Sequence, residues 1–374
     1  MGQGSTILGL GAYIPDEIRT NDWWPKSLVQ IWQAKEKKNE INLQESKDNA
    51  QERESLHPAL AREVDKIKND PFGGTKERRV APVAMLPSDM EVAACREALE
   101  NAHVRPEAID LILCFSLPPD VLIVPNCFKV ANALGLTNAR CVGINSICHS
   151  FMTMIDLAHL YISSGAVKHA LLVASTKYSA IMDYSSSISV AAGDGACAAV
   201  MGSCPEGKGV LASRHYCEPV FHDSMIVTRR PPIRPMVPAF SWGEVQSVEK
   251  MFFTINKPAL ARGAVAIVPR FGERLRKELF DSGLFAQKDI QLFVTNAAFC
   301  WYTPVLAQVV GIPMDKVEDN IDSFSNMGAV NLGMNLYTAV KKKRVKDGDQ
   351  VLMLGHGGGM SYGGIVMRWH QPHL

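Results

Sequence analysis

Apolar runs of strand length alternate with amphipathic stretches of helical spacing along most of the chain. This alternation limits the possible folds more than any other feature. "SDMEVAACREALENAHV" reads as a helix, with a Ser88 cap and Glu91 three residues on. "IDLILCFSL" then reads as a buried strand, "PNCFKVANALGL" as a helix ending near Gly135, and "ARCVGINSI" as a strand. "HSFMTMIDLAHLYISSG" is a helix, "HALLVAST" a strand, and "GDGACAAVMG" a glycine turn with a strand. The outline then recurs. "GAVAIVPRFGERLRKELFDSG", "TPVLAQVVGI" and "GMNLYTAVKKKRV" are helical, and "IQLFVTNAA" is a strand. "VLMLGHGGGMSYGGIVMRW" is a strand, a glycine turn and a strand. Two similar halves of roughly 180 residues predict a duplicated α/β unit around a shared central layer. The expected halves are residues 1–205 and 206–374.

Residues 21–70 interrupt the pattern with a charged, helix-prone stretch that reads as an inserted excursion with a solvated face. The 374 residues carry a net charge of +1, so neither nucleic acid nor an anionic membrane is expected as a partner. No segment reaches the roughly 18 apolar residues of a membrane span. "MGQGST" matches a loose myristoylation pattern at Gly2 and Thr6, but "ILGLGAYIP" follows at once as a buried strand, so no lipid is expected. A cytoplasmic location is expected. The nine cysteines are scattered, without paired spacing. That argues for reduced thiols, mostly in the core, and against a zinc site.

"GHGGGMSYGG" lies between two strands, with no helix behind it to hold a phosphate. It is either a tight turn or a turn whose bare N–H groups face a reacting carbonyl. Cys148 follows a strand and opens a helix. A helix N-terminus lowers a thiol pKa, which suits a nucleophile. The same position also suits a buried structural cysteine, and the local pattern leaves both open.

Several motifs in order carry a wider resemblance: "GLGAYIPDEIRTN", "GTKERRVAP", the cysteine segment ending "SSGAVKHALLVAS", "AAGDGACAAVMG", "FSNMGAVNLG" and "LGHGGGMSYGGIVMRW". In these the chain resembles the ketoacyl-acyl-carrier-protein synthase III family of the thiolase superfamily over nearly its whole length. The resemblance implies a five-layered αβαβα sandwich of two related halves, and a homodimer. It implies that Cys148 accepts an acyl group from coenzyme A or an acyl carrier protein, and that Asn326 assists. It implies an oxyanion hole made by the backbone N–H groups of Cys148 and Gly358. No permanently bound cofactor is expected, since the acyl thioester is a substrate.

The family's histidine, in a motif like His-Gln-Ala-Asn, is absent; "VTNAAFCW" puts Asn296 in its place. An amide takes no proton near neutral pH but can donate a hydrogen bond to an oxyanion. His149 and Ser150 replace small residues after the cysteine and are expected to crowd or polarise the site, although the ring of His149 can point elsewhere. Phe72 stands where an arginine is usual, and Trp301 falls near a basic carrier-protein contact. His356, just before the glycine turn, is the first candidate for a substitute base, near its unperturbed pKa of about 6.5. His222, beside Asp223, is the second. The other histidines, His215 and His373 among them, read as surface or packing residues.

These features point to acyl transfer without decarboxylation, from a carrier protein or coenzyme A donor to a small-metabolite or carrier-bound acceptor. Polyketide, antibiotic or fatty-acid-type biosynthesis is the expected setting. The alternatives are a non-catalytic partner subunit and a condensing enzyme with an altered Cys-Asn-Asn site.

Overall fold

The computed structural model describes residues 4–45, 57–229, 251–255 and 265–371. Gly2 and His373 lie outside them. The strands are β1 (Gly4–Tyr13), β2 (Glu17–Thr20), β3 (Glu77–Val80), β4 (Leu111–Leu117), β5 (Arg140–Gly143), β6 (His169–Lys177) and β7 (Asp194–Cys204). They continue as β8 (Gly209–Cys217), β9 (Met225–Arg229), β10 (Met251–Ile255), β11 (Ile290–Thr295), β12 (Val317–Glu318), β13 (Gln350–Gly357) and β14 (Ser361–Arg368). Two five-stranded sheets result, ordered β1-β7-β6-β4-β5 and β8-β14-β13-β11-β12. The pairing directions match as well. The third strand of each sheet runs parallel to the fourth and antiparallel to the second. The repeat legible in the sequence is therefore a repeat of topology.

The α-helices are α1 (Lys26–Glu45), α2 (Pro58–Asp65), α3 (Pro87–Ala102), α4 (Asn126–Leu134), α5 (Ser150–Ser163), α6 (Val268–Arg276), α7 (Tyr302–Val310), α8 (Ile321–Phe324) and α9 (Val330–Lys341). Strand residues alternate between two faces. Leu111, Leu113 and Phe115 join a core with α5, α9 and the inner face of the second sheet, including Leu292 and Val294. Ile112 and Cys114 instead join α3 and α4 on the outer side. Phe293 and Leu352 pack outward against α6 and α7, with Leu60 of α2 beside them. The layers run helix, sheet, helices, sheet, helix, which is the thiolase-like αβαβα sandwich. In the middle layer a Cβ on Gly333 would lie 2.5 Å from Cys197 Sγ and 2.9 Å from the Phe151 ring. A bare glycine is what lets α9 nest there.

The charged excursion is not simply a solvated face. Trp24, Trp32, Ala59 and Leu60 are buried within it. Trp24 and Trp32 pack with Val190 and Phe72, and the Trp24 and Phe72 rings lie 5.9 Å apart. Among the described residues, no helix is long and apolar enough to cross a membrane. Nor is any group of His, Cys, Asp and Glu placed to hold a metal ion.

Candidate active site

The turn between β5 and α5 is bent more sharply than its residues would choose. Ile147 has φ 53°, a left-handed conformation that is unusual for a β-branched residue. Such a residue costs roughly 1–2 kcal/mol and needs local support. The Ile147 N–H donates to Asn145 Oδ1 at 3.1 Å. Ser150 Oγ accepts from the Ser146 N–H at 2.9 Å and donates to the Ile147 carbonyl at 2.7 Å. Ser150 therefore serves the turn and does not polarise the site. The His149 ring is buried, with Nε2 2.9 Å from His215 Nδ1, so it does not crowd the site either. Burial, then the neighbouring His215 and His356, push the His149 pKa down to about 3, so this ring is neutral. His215 in turn lies 2.9 Å from Ser213 Oγ and 3.8 Å from Asp156 Oδ1.

The bend carries Cys148 to the top of the central layer, half-buried. Burial pushes its thiol up to about 11. The N–H of Gly358, the Tyr178 hydroxyl and the N–H of Cys148 itself pull the other way by bonding the sulfur. The expectation of a low-pKa thiolate is corrected here. A helix terminus contributes about 0.3–1 kcal/mol, less than the 1.36 kcal/mol of one pKa unit, and loss of water outweighs it.

Gly358 lies in the turn between β13 and β14, which packs directly on the cysteine loop. A Cβ on the preceding Gly357 would lie 2.5 Å from the Ser146 carbonyl oxygen. Asn296, just past β11, ties the two together. Its Nδ2 donates to the Cys148 carbonyl at 2.9 Å and to the His356 carbonyl at 2.6 Å. Its Oδ1 accepts the His356 N–H at 3.0 Å. Both amide hydrogens are thus committed to backbone carbonyls. The expected donation from Asn296 to an oxyanion finds no free N–H, and the residue is a clamp.

The His356 ring stacks on Tyr302, with centroids 4.4 Å apart and planes at 20°. Burial pushes it down to about 4, which corrects the expected value near 6.5. It is a packed, weakly basic ring. His222 is exposed and lies 3.8 Å from Asp223. Trp301 is buried and stacks on Phe299, so it offers no surface contact to a carrier protein.

Asn326 precedes α9. Its Oδ1 accepts the Gly328 N–H at 2.7 Å, and its backbone pairs with Ala191 and Gly193. Among the described residues its NH₂ group has no partner. A Cβ placed on Gly328 would lie 3.6 Å from Cys148 Sγ, so this loop touches the candidate nucleophile. The structure brings Cys148, Gly358 and the Asn326 loop together, clamps Asn296 behind them, and leaves His222 outside.

Residues 142–219 match the family model described as 3-Oxoacyl-[acyl-carrier-protein (ACP)] synthase III. Residues 281–369 match the model of its C-terminal part. These two matches support a member of the ketoacyl-acyl-carrier-protein synthase III-like family, in keeping with the thiolase-like fold. This is a family of acyl-transferring condensing enzymes. Beta-ketoacyl-[acyl-carrier-protein] synthase III of Oceanobacillus iheyensis is 29% identical over 307 residues, 79% of this chain and 88% of that one. Synthase III 1 of Bacillus anthracis is 26% identical over 97% of this chain and 98% of its own length. The fold matches the priming beta-ketosynthase of the R1128 polyketide biosynthetic pathway with a TM-score of 0.74. That match has 23% identity and covers 99% of this chain and 98% of the other.

Sequence reading missed Thr176, near the end of β6, and Tyr178, in the turn just after it, whose hydroxyls lie beside the cysteine. "STKYSA" contains no charged pair or motif that would have singled them out. His215, read as a surface or packing residue, does pack, its ring meeting His149 where β14 carries β8 against the cysteine loop.

Proposed function

We propose that this synthase III-like protein is an acyltransferase that forms an acyl-thioester on Cys148 and passes the acyl group on without decarboxylation. The donor is an acyl carrier protein or coenzyme A thioester. The acceptor is a small metabolite or a carrier-bound group, in polyketide, antibiotic or fatty-acid-type biosynthesis. The observation that carries this reading is the close packing of the Gly357–Gly358 turn on the cysteine loop, where a Cβ on Gly358 would lie 3.6 Å from Ile147 Cγ2, so that the backbone N–H groups of Gly358 and Cys148 lie beside the thiol. Donors held in that way are suited to the oxygen of a thioester under attack. Asn326 spends its oxygen on the Gly328 N–H and keeps its amide donor for a substrate.

The proton balance fits the residues present. Cys148 attacks the donor carbonyl, the bond to the carrier sulfur breaks, and the thiol proton leaves with the carrier thiol. The acceptor's hydroxyl or amine then attacks the acyl-cysteine, and its proton returns to Cys148. The cycle consumes no base. Decarboxylation of a malonyl group would build an enolate, and neither the clamped Asn296 nor the stacked His356 is placed to assist it. The same observation weighs against the Cys-Asn-Asn condensing reading.

A homodimer suits the exposed edge strand β5 and the exposed apolar run Val121–Val124 beside it. One observation favours a second reading, that of a non-catalytic partner subunit: the thiol is held protonated near neutral pH. Intact-mass measurement after incubation with a panel of acyl thioesters separates the two. Acyl transfer requires a stoichiometric mass gain that maps to Cys148 and is lost in Cys148→Ala. Protein that gains nothing from a broad panel belongs to the second reading. Simple alkylation is a poor substitute for this assay, because Cys217 is the exposed thiol.

A further inference from the structure

Three polar atoms around Gly328 face one small space. A Cβ built on Gly328 would lie 3.3 Å from Thr176 Oγ1, 3.4 Å from the Tyr178 hydroxyl and 3.6 Å from Cys148 Sγ. Gly328 has φ 58°, so glycine suits its backbone, and a side chain there would press on the Thr176 hydroxyl. Strand alternation explains the aim of the two hydroxyls. Ala170, Leu172 and Ala174 of β6 face the central layer, and Thr176 continues that face. Ser175 points the other way and donates to Glu91 at 2.6 Å.

The two hydroxyls are not equivalent. That of Tyr178 is bonded to the cysteine sulfur. Thr176 is fully buried, and among the described residues its Oγ1 has no hydrogen-bond partner. Buried hydroxyls are almost always paired, so an orphan beside a candidate nucleophile needs explaining. A bound substrate is the partner that arrives only during reaction. The Cys148 sulfur, which would carry the acyl group, borders this same point.

We infer that Thr176 reads an oxygen carried on the second or third carbon of the acyl chain, so that hydroxyacyl or oxoacyl thioesters are preferred over plain alkyl ones. The inference rests on the acyl-thioester reading of Cys148 and adds the substrate class. A threonine hydroxyl both donates and accepts, so it suits either oxygen. No covalent step beyond loading is involved.

The test uses butyryl, 2-hydroxybutyryl and 3-hydroxybutyryl pantetheine thioesters, with single-turnover loading followed by intact mass. One hydroxyacyl donor is expected to load about tenfold or more faster than butyryl, as for a site built to pair a substrate oxygen. Thr176→Val, nearly isosteric, should abolish the preference, so that the hydroxyacyl and butyryl donors load at about the same rate. Equal loading of all three by the wild type overturns the inference, as do equal losses for all three in the variant. A second measurement does not depend on the thiol. Cys148→Ser protein is titrated by calorimetry with the matching pantetheine amides. If no thioester loads, the acyl-transfer reading fails, and this titration still decides the pocket. Tighter binding of a hydroxyacyl amide, lost in Thr176→Val, supports it. Equal affinity, or no binding of any amide, overturns it.

Discussion

The loop before α5 and the loop before α9 occupy matching places in the two sheets, one after β5 and the other after β12. Both leave right-handed backbone space, at Ile147 in the first and at Ser325 and Gly328 in the second. Both are closed by an asparagine oxygen that accepts an N–H two residues on, Asn145 from Ile147 and Asn326 from Gly328. The difference is in who does the bending. In the first loop Asn145 bends the chain and Cys148 is left to react. In the second, Asn326 bends the chain with its oxygen and has only its NH₂ left. Asn296 is the extreme case, with oxygen and both hydrogens committed to backbone. The chemistry a side chain can offer is what remains after the backbone has used it.

Replacing Asn326 by aspartate is the strongest way to break this comparison. Asn326→Asp keeps the oxygen that closes the turn and removes the N–H donor. Single-turnover transfer is expected to slow by about 10²–10³-fold, the cost of losing one oxyanion donor, while the melting temperature holds. Unchanged rates would show that the spare amide is idle.

The clamp predicts a different signature. Asn296→Ala strands two carbonyls and one N–H, and is expected to cost about 2–4 kcal/mol in urea unfolding. Acyl loading should fall with it, since the cysteine loop and the glycine turn lose their tie. A loss below about 0.5 kcal/mol, the range of an ordinary surface change, would remove the clamp from the account.

A smaller effect sharpens the role of the hydroxyl on the sulfur. Tyr178 favours the thiolate over the thiol, so Tyr178→Phe should raise the Cys148 pKa above its value of about 11. Each unit of that rise lowers the thiolate fraction tenfold at any pH below the pKa. Loading is therefore expected to slow about tenfold, with the pH–rate profile displaced upward. Iodoacetamide labelling of Cys148, followed by peptide mapping from pH 7 to 10, reads the displacement directly.

The smallest effect belongs to His356. Its pKa falls from the ordinary 6.5 to about 4 on folding, so the unfolded chain takes the proton first as pH drops. The contribution is complete above about pH 6.5 and is lost toward pH 4, at no more than about 1.4 kcal/mol per pH unit. His356→Phe keeps a ring on Tyr302 and removes that portion of the slope, while loading rates at pH 7 stay within about twofold. Urea titrations at pH 7, 5.5 and 4.5 measure the slope. A large rate loss at pH 7 would restore His356 as a base.

Periodicity carried most of the architecture. The alternation of "IDLILCFSL" and "IQLFVTNAA" between two faces, and the apolar spacing of α5 and α9, follow from elementary helix and strand geometry. They make two covered sheets nearly unavoidable. The excursion at 21–70 was less legible, because a few tryptophans among many charges look solvated until Trp24 and Trp32 meet Val190 and Phe72 in space. At the site, the local pattern offered Cys148 as either a nucleophile or a core residue, and the resemblance to a known family singled out Cys148, Asn326 and Gly358. It did not say that Cys148 would be desolvated more than its helix could offset, or that Asn296 would spend its whole amide on backbone. Nor did it say that the Thr176 hydroxyl, near the end of β6, would be left without a hydrogen-bond partner among the described residues. Each of those depends on what other segments bring within about 3 Å, the reach of a hydrogen bond. A residue's type fixes what it can donate or accept; only the packed chain decides which of those bonds are already taken.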